Sequence, residues 1–255
     1  MMSNYAIYFS PTYSTEKVTK ILATEFGSYD IIDLGERDEQ DDYEFKKEDL
    51  CIIAVPSYGG RVPEIALKRM EHYKGNQAKA VLVVVYGNRD YDDTFAELQD
   101  FVEERGFCPV AAIAAVAEHS VMHQFAKGRP DADDEAKLIE FAGKIKEALS
   151  ENREWISLDL PGNRPYKEYN GIPLKPKAGA NCTKCRVCSK ACPVGAIPFD
   201  APNLTNKDVC ISCMRCIEVC PVHARKVNGL MLKVASMKMK KACADRKENE
   251  LFMNA

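Results

Sequence analysis

The chain has 255 residues, 46% of them hydrophobic, and 35 Lys and Arg against 38 Asp and Glu give a formal net charge of −3. That length is long for one domain and comfortable for two. No basic start followed by an apolar run marks a secretory signal, and no apolar stretch approaches the length needed to cross a bilayer. The eleven cysteines therefore point away from a secreted disulfide scaffold or a membrane protein and toward metal binding at a cytoplasmic, reducing location.

The first 150 residues alternate strand-like and helix-like segments. Tyr5–Phe9 reads as a strand, and Ser14–Phe26 as a helix with Val18, Ile21, Leu22 and Phe26 on one face. A short strand over 29–33 and an acidic loop from Glu36 to Asp49 follow. Leu50–Val55 is a continuous apolar run, as in a strand buried on both faces of a parallel sheet. A helix starts near Pro63, a residue favoured at the first helical position. Ala80–Tyr86 is the next strand, Asp92–Arg105 the next helix, and Val110–Ala117 a fifth strand. Asp131–Ser150 closes the series as a helix with Leu138, Phe141, Ile145 and Leu149 at helical spacing. Five strands alternating with helices predict an α/β, doubly wound parallel sheet. Such sheets bind ligands beyond the C-terminal ends of their strands, where strand order reverses.

Residues 161–177 contain four prolines and two glycines and read as an extended linker. The expected boundaries are 1–151 for the sheet domain, 152–179 for the linker, 180–229 for a cysteine-rich domain and 230–255 for a helical tail. In that tail Met231–Asn249 either packs its Val234, Met237 and Met239 side on the protein or binds a partner. Charge divides along the same line. Residues 1–150 carry 17 basic and 28 acidic residues, net −11, and residues 151–255 carry 18 and 10, net +8. The basic part lacks a recognisable nucleic-acid reading helix or finger. A solvated basic surface, or one docked on the acidic half, fits it better.

Two copies of one cysteine motif stand in tandem: Cys182-x2-Cys185-x2-Cys188-x3-Cys192-Pro193 and Cys210-x2-Cys213-x2-Cys216-x3-Cys220-Pro221. Zinc also accepts four thiolates, but zinc sites pair two C-x2-C units, whereas here three cysteines crowd into each seven-residue stretch. The spacing predicts two 4Fe–4S clusters. The segments Cys192-Pro193-Val194-Gly195-Ala196-Ile197 and Cys220-Pro221-Val222-His223-Ala224 resemble the two halves of bacterial two-cluster ferredoxins. There the fourth cysteine ligates the other cluster. The resemblance thus implies one cluster on Cys182, Cys185, Cys188 and Cys220, and another on Cys210, Cys213, Cys216 and Cys192. Cys51 and Cys108 read as packed core thiols, and Cys243 has no evident ligand partner.

Three loops follow the first, third and fourth predicted strands. Ser10-Pro11-Thr12-Tyr13-Ser14-Thr15 leads into a helix, where its hydroxyls serve either as caps or as anion donors; no Lys or Arg stands in it. The N-terminal half resembles flavodoxins. Ser10, Thr12, Ser14 and Thr15 match their phosphate loop, with Tyr13 replacing the usual glycine. The resemblance implies FMN, with its ring contacted by Pro56, Ser57, Tyr58, Gly59 and Gly60 of the second loop. Gly87 and Asn88 of the third loop would hold its pyrimidine edge, and Tyr91 would cover its other face. His119, after the fifth strand, lies near the same rim.

With the segments Pro161-Gly162-Asn163-Arg164-Pro165-Tyr166 and Tyr58-Gly59-Gly60-Arg61-Val62-Pro63, the whole chain resembles the prokaryotic flavodoxin–ferredoxin fusion family. That resemblance implies two 4Fe–4S clusters, FMN and an electron carrier between redox protein partners in anaerobic metabolism. The alternatives are a flavin-dependent reductase of a small molecule, bound by His119, Arg61 and Arg89, and a redox-sensing module. An open flavin edge favours the carrier, and a covered pocket above the ring favours the reductase. No Gly-x-Gly-x-x-Gly suggests a built-in nicotinamide domain.

Overall fold

The computed structural model describes residues 3–37, 42–151 and 154–254. Residues 38–41 of the predicted acidic loop and 152–153 at the start of the linker lie outside that set. The N-terminal part runs β1 (Asn4–Tyr8), α1 (Ser14–Glu25), β2 (Asp30–Asp33), β3 (Leu50–Pro56), α2 (Glu64–Arg69), β4 (Lys79–Tyr86), α3 (Thr94–Glu104), β5 (Cys108–Val116) and α4 (Ala132–Ser150). The remainder carries β6 (Lys177–Ala178), α5 (Val187–Lys190), α6 (Arg215–Glu218), β7 (Arg225–Lys226), α7 (Gly229–Met239) and β8 (Glu250–Phe252).

The main sheet has the order β2-β1-β3-β4-β5-β8, with parallel pairing from β2 through β5. Strands β1 to β5 therefore have the flavodoxin-type order, and the order reverses between β1 and β3. Side chains alternate between the two faces with period two. Ile7, Phe9, Ile53, Leu82 and Ala112 pack toward Ala66 of α2 and Leu98 of α3. Ala6, Tyr8, Ile52, Val83 and Ile113 pack toward Leu22 of α1 and Phe141 of α4. Both faces are covered, which is why β3, and β4 from Ala80 onward, are apolar.

The sheet has six strands rather than the five expected. β8, from the presumed helical tail, pairs antiparallel with β5 through Ala112↔Phe252, Ile113↔Leu251 and Ala114↔Glu250. A long apolar edge strand is an aggregation hazard unless covered, and β8 covers the edge of β5. Phe252 sets its ring 5.5 Å from that of Phe95, and Val116 N–H donates to Asn249 Oδ1 at 2.9 Å. Three residues are too few for hydrophobic periodicity to reveal. The tail helix is correspondingly shorter than expected. Asn228 Oδ1 caps it by accepting from Met231 N–H at 3.0 Å, and it ends at Met239, with no residue of it buried.

The proline-rich linker is pinned to the acidic domain. Asn163 N–H and Lys167 N–H donate to the two carboxylate oxygens of Asp93 at 2.8 and 2.7 Å. Arg164 forks onto Asp100, and Lys167 pairs with Asp92 at 3.1 Å. Arg61, paired with Glu97 at 2.6 Å, also donates to the Lys167 carbonyl at 2.6 Å. The charge asymmetry is thus used mainly where linker and tail lie on the acidic domain.

Candidate functional site

The cysteine domain is two copies of one backbone, 28 residues apart in sequence. Lys184, Arg186 and Gly195 have positive φ in the first copy, and so do Ser212, Met214 and His223 in the second. Each run turns through left-handed residues beside its cysteines before one turn of helix, α5 or α6. Successive backbone N–H groups in such turns form anion-binding concavities. The fourth cysteines match as well. Ala196 N–H donates to Cys192 Sγ at 3.3 Å, and Ala224 N–H to Cys220 Sγ at 3.2 Å.

The copies exchange their fourth cysteine. One small pocket is lined by Cys182, Cys185, Cys188 and Cys220. Another is lined by Cys210, Cys213, Cys216 and Cys192. Among the described residues no three His, Cys, Asp or Glu side chains are grouped to hold a single metal ion. Burial pushes the Cys213 and Cys216 thiols up to about 12. Burial also raises Cys220, but N–H groups of Arg225, Ala224 and Val222 outweigh it and hold its pKa below the usual thiol value. Arg225, almost fully buried, braces the domain by donating to the Pro202 and Leu204 carbonyls at 2.6 and 3.0 Å.

A larger cavity, of about 370 Å³, opens at the C-terminal ends of β1, β3, β4 and β5. Thr12, Ser14 and Thr15 line it from the first loop, and the positive end of the α1 dipole faces it. Pro56, Ser57, Tyr58, Gly59 and Gly87 line it from the second and third loops. Gly59 has φ +61°, and a Cβ there would collide with the Tyr169 ring. A Cβ on Gly87 would come within 2.8 Å of His119. His119 Nδ1 accepts from Val121 and Met122 N–H at 3.2 and 3.3 Å, so in the neutral ring the proton sits on Nε2. Burial, with His123 and Arg89 nearby, lowers its pKa to about 4. The cavity is roofed by Tyr169 and Leu174 of the linker, Ile211 and Ser212 of the cysteine domain, and Met231, Ala235 and Met239 of α7.

Four of the residues expected at the flavin do not line this cavity. Ser10 is buried and its Oγ accepts from Glu16 N–H at 2.9 Å, capping α1. Gly60 faces the Asp92 carboxylate. Asn88 donates to the Cys243 and Asp245 carbonyls at 3.1 and 2.8 Å and accepts from Lys247 N–H at 3.2 Å, fastening the tail. Tyr91 packs edge-on to Tyr86 and Phe95, and its hydroxyl reaches Glu250 at 3.2 Å. Arg61 is taken up by Glu97 and the linker, whereas Arg89 and His119 do line the cavity.

Cysteine domain and loop cavity adjoin. Ile211 lines both the large cavity and the one formed by Cys192, Cys210, Cys213 and Cys216. The Tyr58 hydroxyl is pushed well up by burial, with Cys213 and Tyr169 as its nearest charge partners. Arg215 Nη1 donates to the Ser10 and Pro11 carbonyls at 3.3 and 3.2 Å, and its guanidinium lies 4.6 Å from the Tyr13 ring centre. Sequence reasoning missed Arg215, Tyr169 and Ile211. The one available signal for Arg215 is that Val187 stands at the equivalent position of the first copy.

Residues 181–224 match the 4Fe-4S dicluster domain family. No curated protein matches the chain. Among solved structures, the flavodoxin of Streptococcus pneumoniae TIGR4 is 17% identical with a TM-score of 0.41, covering 58% of this chain and 99% of that one. Oxidised Flavodoxin 1 from Bacillus cereus is 16% identical with a TM-score of 0.38, covering 59% and 100%. The azoreductase of Bacillus anthracis is 8% identical with a TM-score of 0.40, covering 58% and 100%. The fold of the N-terminal part rests on its own strand order rather than on these likenesses. A flavodoxin-type sheet followed by a 4Fe–4S dicluster domain is the arrangement of a flavodoxin–ferredoxin fusion, and this chain has it.

Proposed function

We propose that the protein is an iron–sulfur flavoprotein that moves single electrons between two 4Fe–4S clusters and an FMN, as a carrier between redox partners. When bound, the clusters supply one-electron steps and the flavin stores one or two electrons. Cys182, Cys185, Cys188 and Cys220 would hold the outer cluster, and Cys210, Cys213, Cys216 and Cys192 the inner one. Thr12, Ser14 and Thr15 offer hydroxyl donors at the α1 N-terminus to the FMN phosphate, and Tyr58 and Gly59 stand where the ring would lie. The observation that carries the reading is the shared wall. Ile211 borders the loop cavity and the inner cysteine cavity at once. The backbone from Cys210 to Cys213 then runs along the wall between the two sites.

The roof favours a second reading, in which a small molecule is reduced at the flavin. α7 and the linker cover the cavity mouth, where a protein partner of the flavin would otherwise dock. His119 and Arg89 face the same space, and the neutral His119 ring is held as a donor by its two backbone contacts. The test is Cys192→Ala in anaerobically prepared protein, with electrons supplied in sub-stoichiometric amounts. The expected result is loss of one cluster signal in EPR and flavin reduction at least tenfold slower. Unchanged flavin reduction with the inner cluster gone would overturn the proposed order. A steady turnover of quinones or nitro compounds by the unmodified protein would move the assignment to the second reading.

A further inference from the structure

The two cysteine runs share a backbone but not a surface. Lys184, Arg186 and Lys190 of the first run correspond, 28 residues on, to Ser212, Met214 and Glu218 of the second. Ser212 and Met214 are buried against the linker, the tail and the sheet domain. Lys184, Arg186 and Lys190 are exposed, and no acidic residue occurs between Asn181 and Cys192. Among the described residues no ion pair engages them; Arg186 lies 5.8 Å from the Phe199 ring centre. Within this cationic ring sits Cys185, the one exposed cysteine among the eight. Apolar surface completes the patch, with Val187, Val222 and Phe199 at 40%, 38% and 52% exposure. Among the described residues no carboxylate of the acidic domain pairs with these cations; its Asp92, Asp100 and Asp131 pair with the linker and the tail instead.

We propose that this face is the docking surface for an acidic one-electron redox protein. The inference rests on the cluster assignment above and adds the place and charge of the partner. Charged rims steer encounter and set orientation, while a small apolar centre supplies the contact. In the exchange the partner loses one electron and this chain gains one, or the reverse; no bond forms or breaks. The outer cavity, lined by Cys185, is the one that reaches the surface here, whereas the inner one adjoins the flavin cavity. The patch therefore lies at the end of the chain of sites opposite the flavin.

The probe is an oxidised, acidic bacterial two-cluster ferredoxin, titrated calorimetrically into the anaerobic holoprotein at low and high ionic strength. Iron and FMN content are measured first in every variant, so that a failed cofactor assignment is seen separately from a failed docking surface. The expected result is binding that weakens with salt, and at least tenfold weaker binding in K184E/R186E/K190E. The comparator K177E/K207E/K226E reverses two other lysines of the cysteine domain and Lys177 of the adjoining linker, and is expected to change binding less than threefold. If the triple variant loses iron, K190E alone is read, because it lies outside the spacing between the first three cysteines. No binding by the unmodified protein, equal binding by the triple variant, or a larger loss in the comparator overturns the proposal. So does self-association of the unmodified protein that the triple variant abolishes, which would make a second copy the occupant.

Discussion

At the scale of the residue, Tyr13 shows how a non-glycine fits a glycine position. It adopts φ 65° just before α1, and its ring is stacked by Arg215 from the cysteine domain. A left-handed residue other than glycine costs roughly 1–2 kcal/mol, and a cation–π contact offsets about 0.5–2 kcal/mol. Arg215→Ala should therefore weaken FMN binding by roughly tenfold, the equivalent of about 1.4 kcal/mol. Tyr13→Gly in the same chain should restore most of it. Fluorescence titration of flavin-free protein measures both, and equal affinity in Arg215→Ala would refute the coupling. The loop hydroxyls were legible in the sequence because they are local. Arg215 was not, since its partners lie some 200 residues away.

His119 belongs to the same scale. Its folded pKa, about 4, lies below the ordinary value near 6.5. Between those values the unfolded chain binds the proton and the folded chain does not. Stability from this residue is therefore complete above about pH 6.5 and is lost as pH falls toward 4. Nitrogen-15 NMR should show a neutral Nε2–H ring from pH 8 down to about pH 5. A ring that titrates near 6.5 would contradict its burial.

At the scale of the element, apolar runs and helical periodicity located all five parallel strands and the long helices. It missed β8, which pairs through three residues, and it prolonged the tail helix beyond Met239. The tail is fixed by polar contacts instead. Asn88, at φ 65°, satisfies three backbone groups of the tail, and Asn249 bridges Val116 and Asp134. Arg129 forks onto Asp134 and also reaches the Lys247 carbonyl at 2.6 Å. Leaving buried peptide groups unpaired costs about 1–3 kcal/mol. Asn88→Ala should accordingly lower the thermal unfolding midpoint by several degrees and raise hydrogen exchange in β8 and 243–249. An unchanged midpoint would mean that the strand pairing alone holds the tail.

At the scale of the molecule, the cysteine-rich domain was legible from its spacing, because the tandem motif is local in the chain and residues 181–224 match the 4Fe-4S dicluster domain family. The way the domains meet was not legible. Net charges of opposite sign suggested electrostatic docking, but the ion pairs lie in linker and tail, where exposed pairs contribute about 0–1 kcal/mol each. The cysteine domain is held by arginines donating to carbonyls: Arg215 to Ser10 and Pro11, and Arg69 to Pro193 at 2.9 Å. Electron transfer between flavin and clusters should thus change less than about threefold between low and high salt, since such contacts are screened little. A steep salt dependence in rapid-reaction measurements would restore the electrostatic picture.

The proposed function requires that one chain carry both clusters and the flavin in adjoining sites. Iron, sulfide and flavin determined on protein isolated without oxygen test it most directly. The expected content is about eight irons and one FMN per chain, as two four-iron clusters and one flavin require. About four irons, bound zinc in their place, or protein that neither contains nor takes up FMN would contradict it.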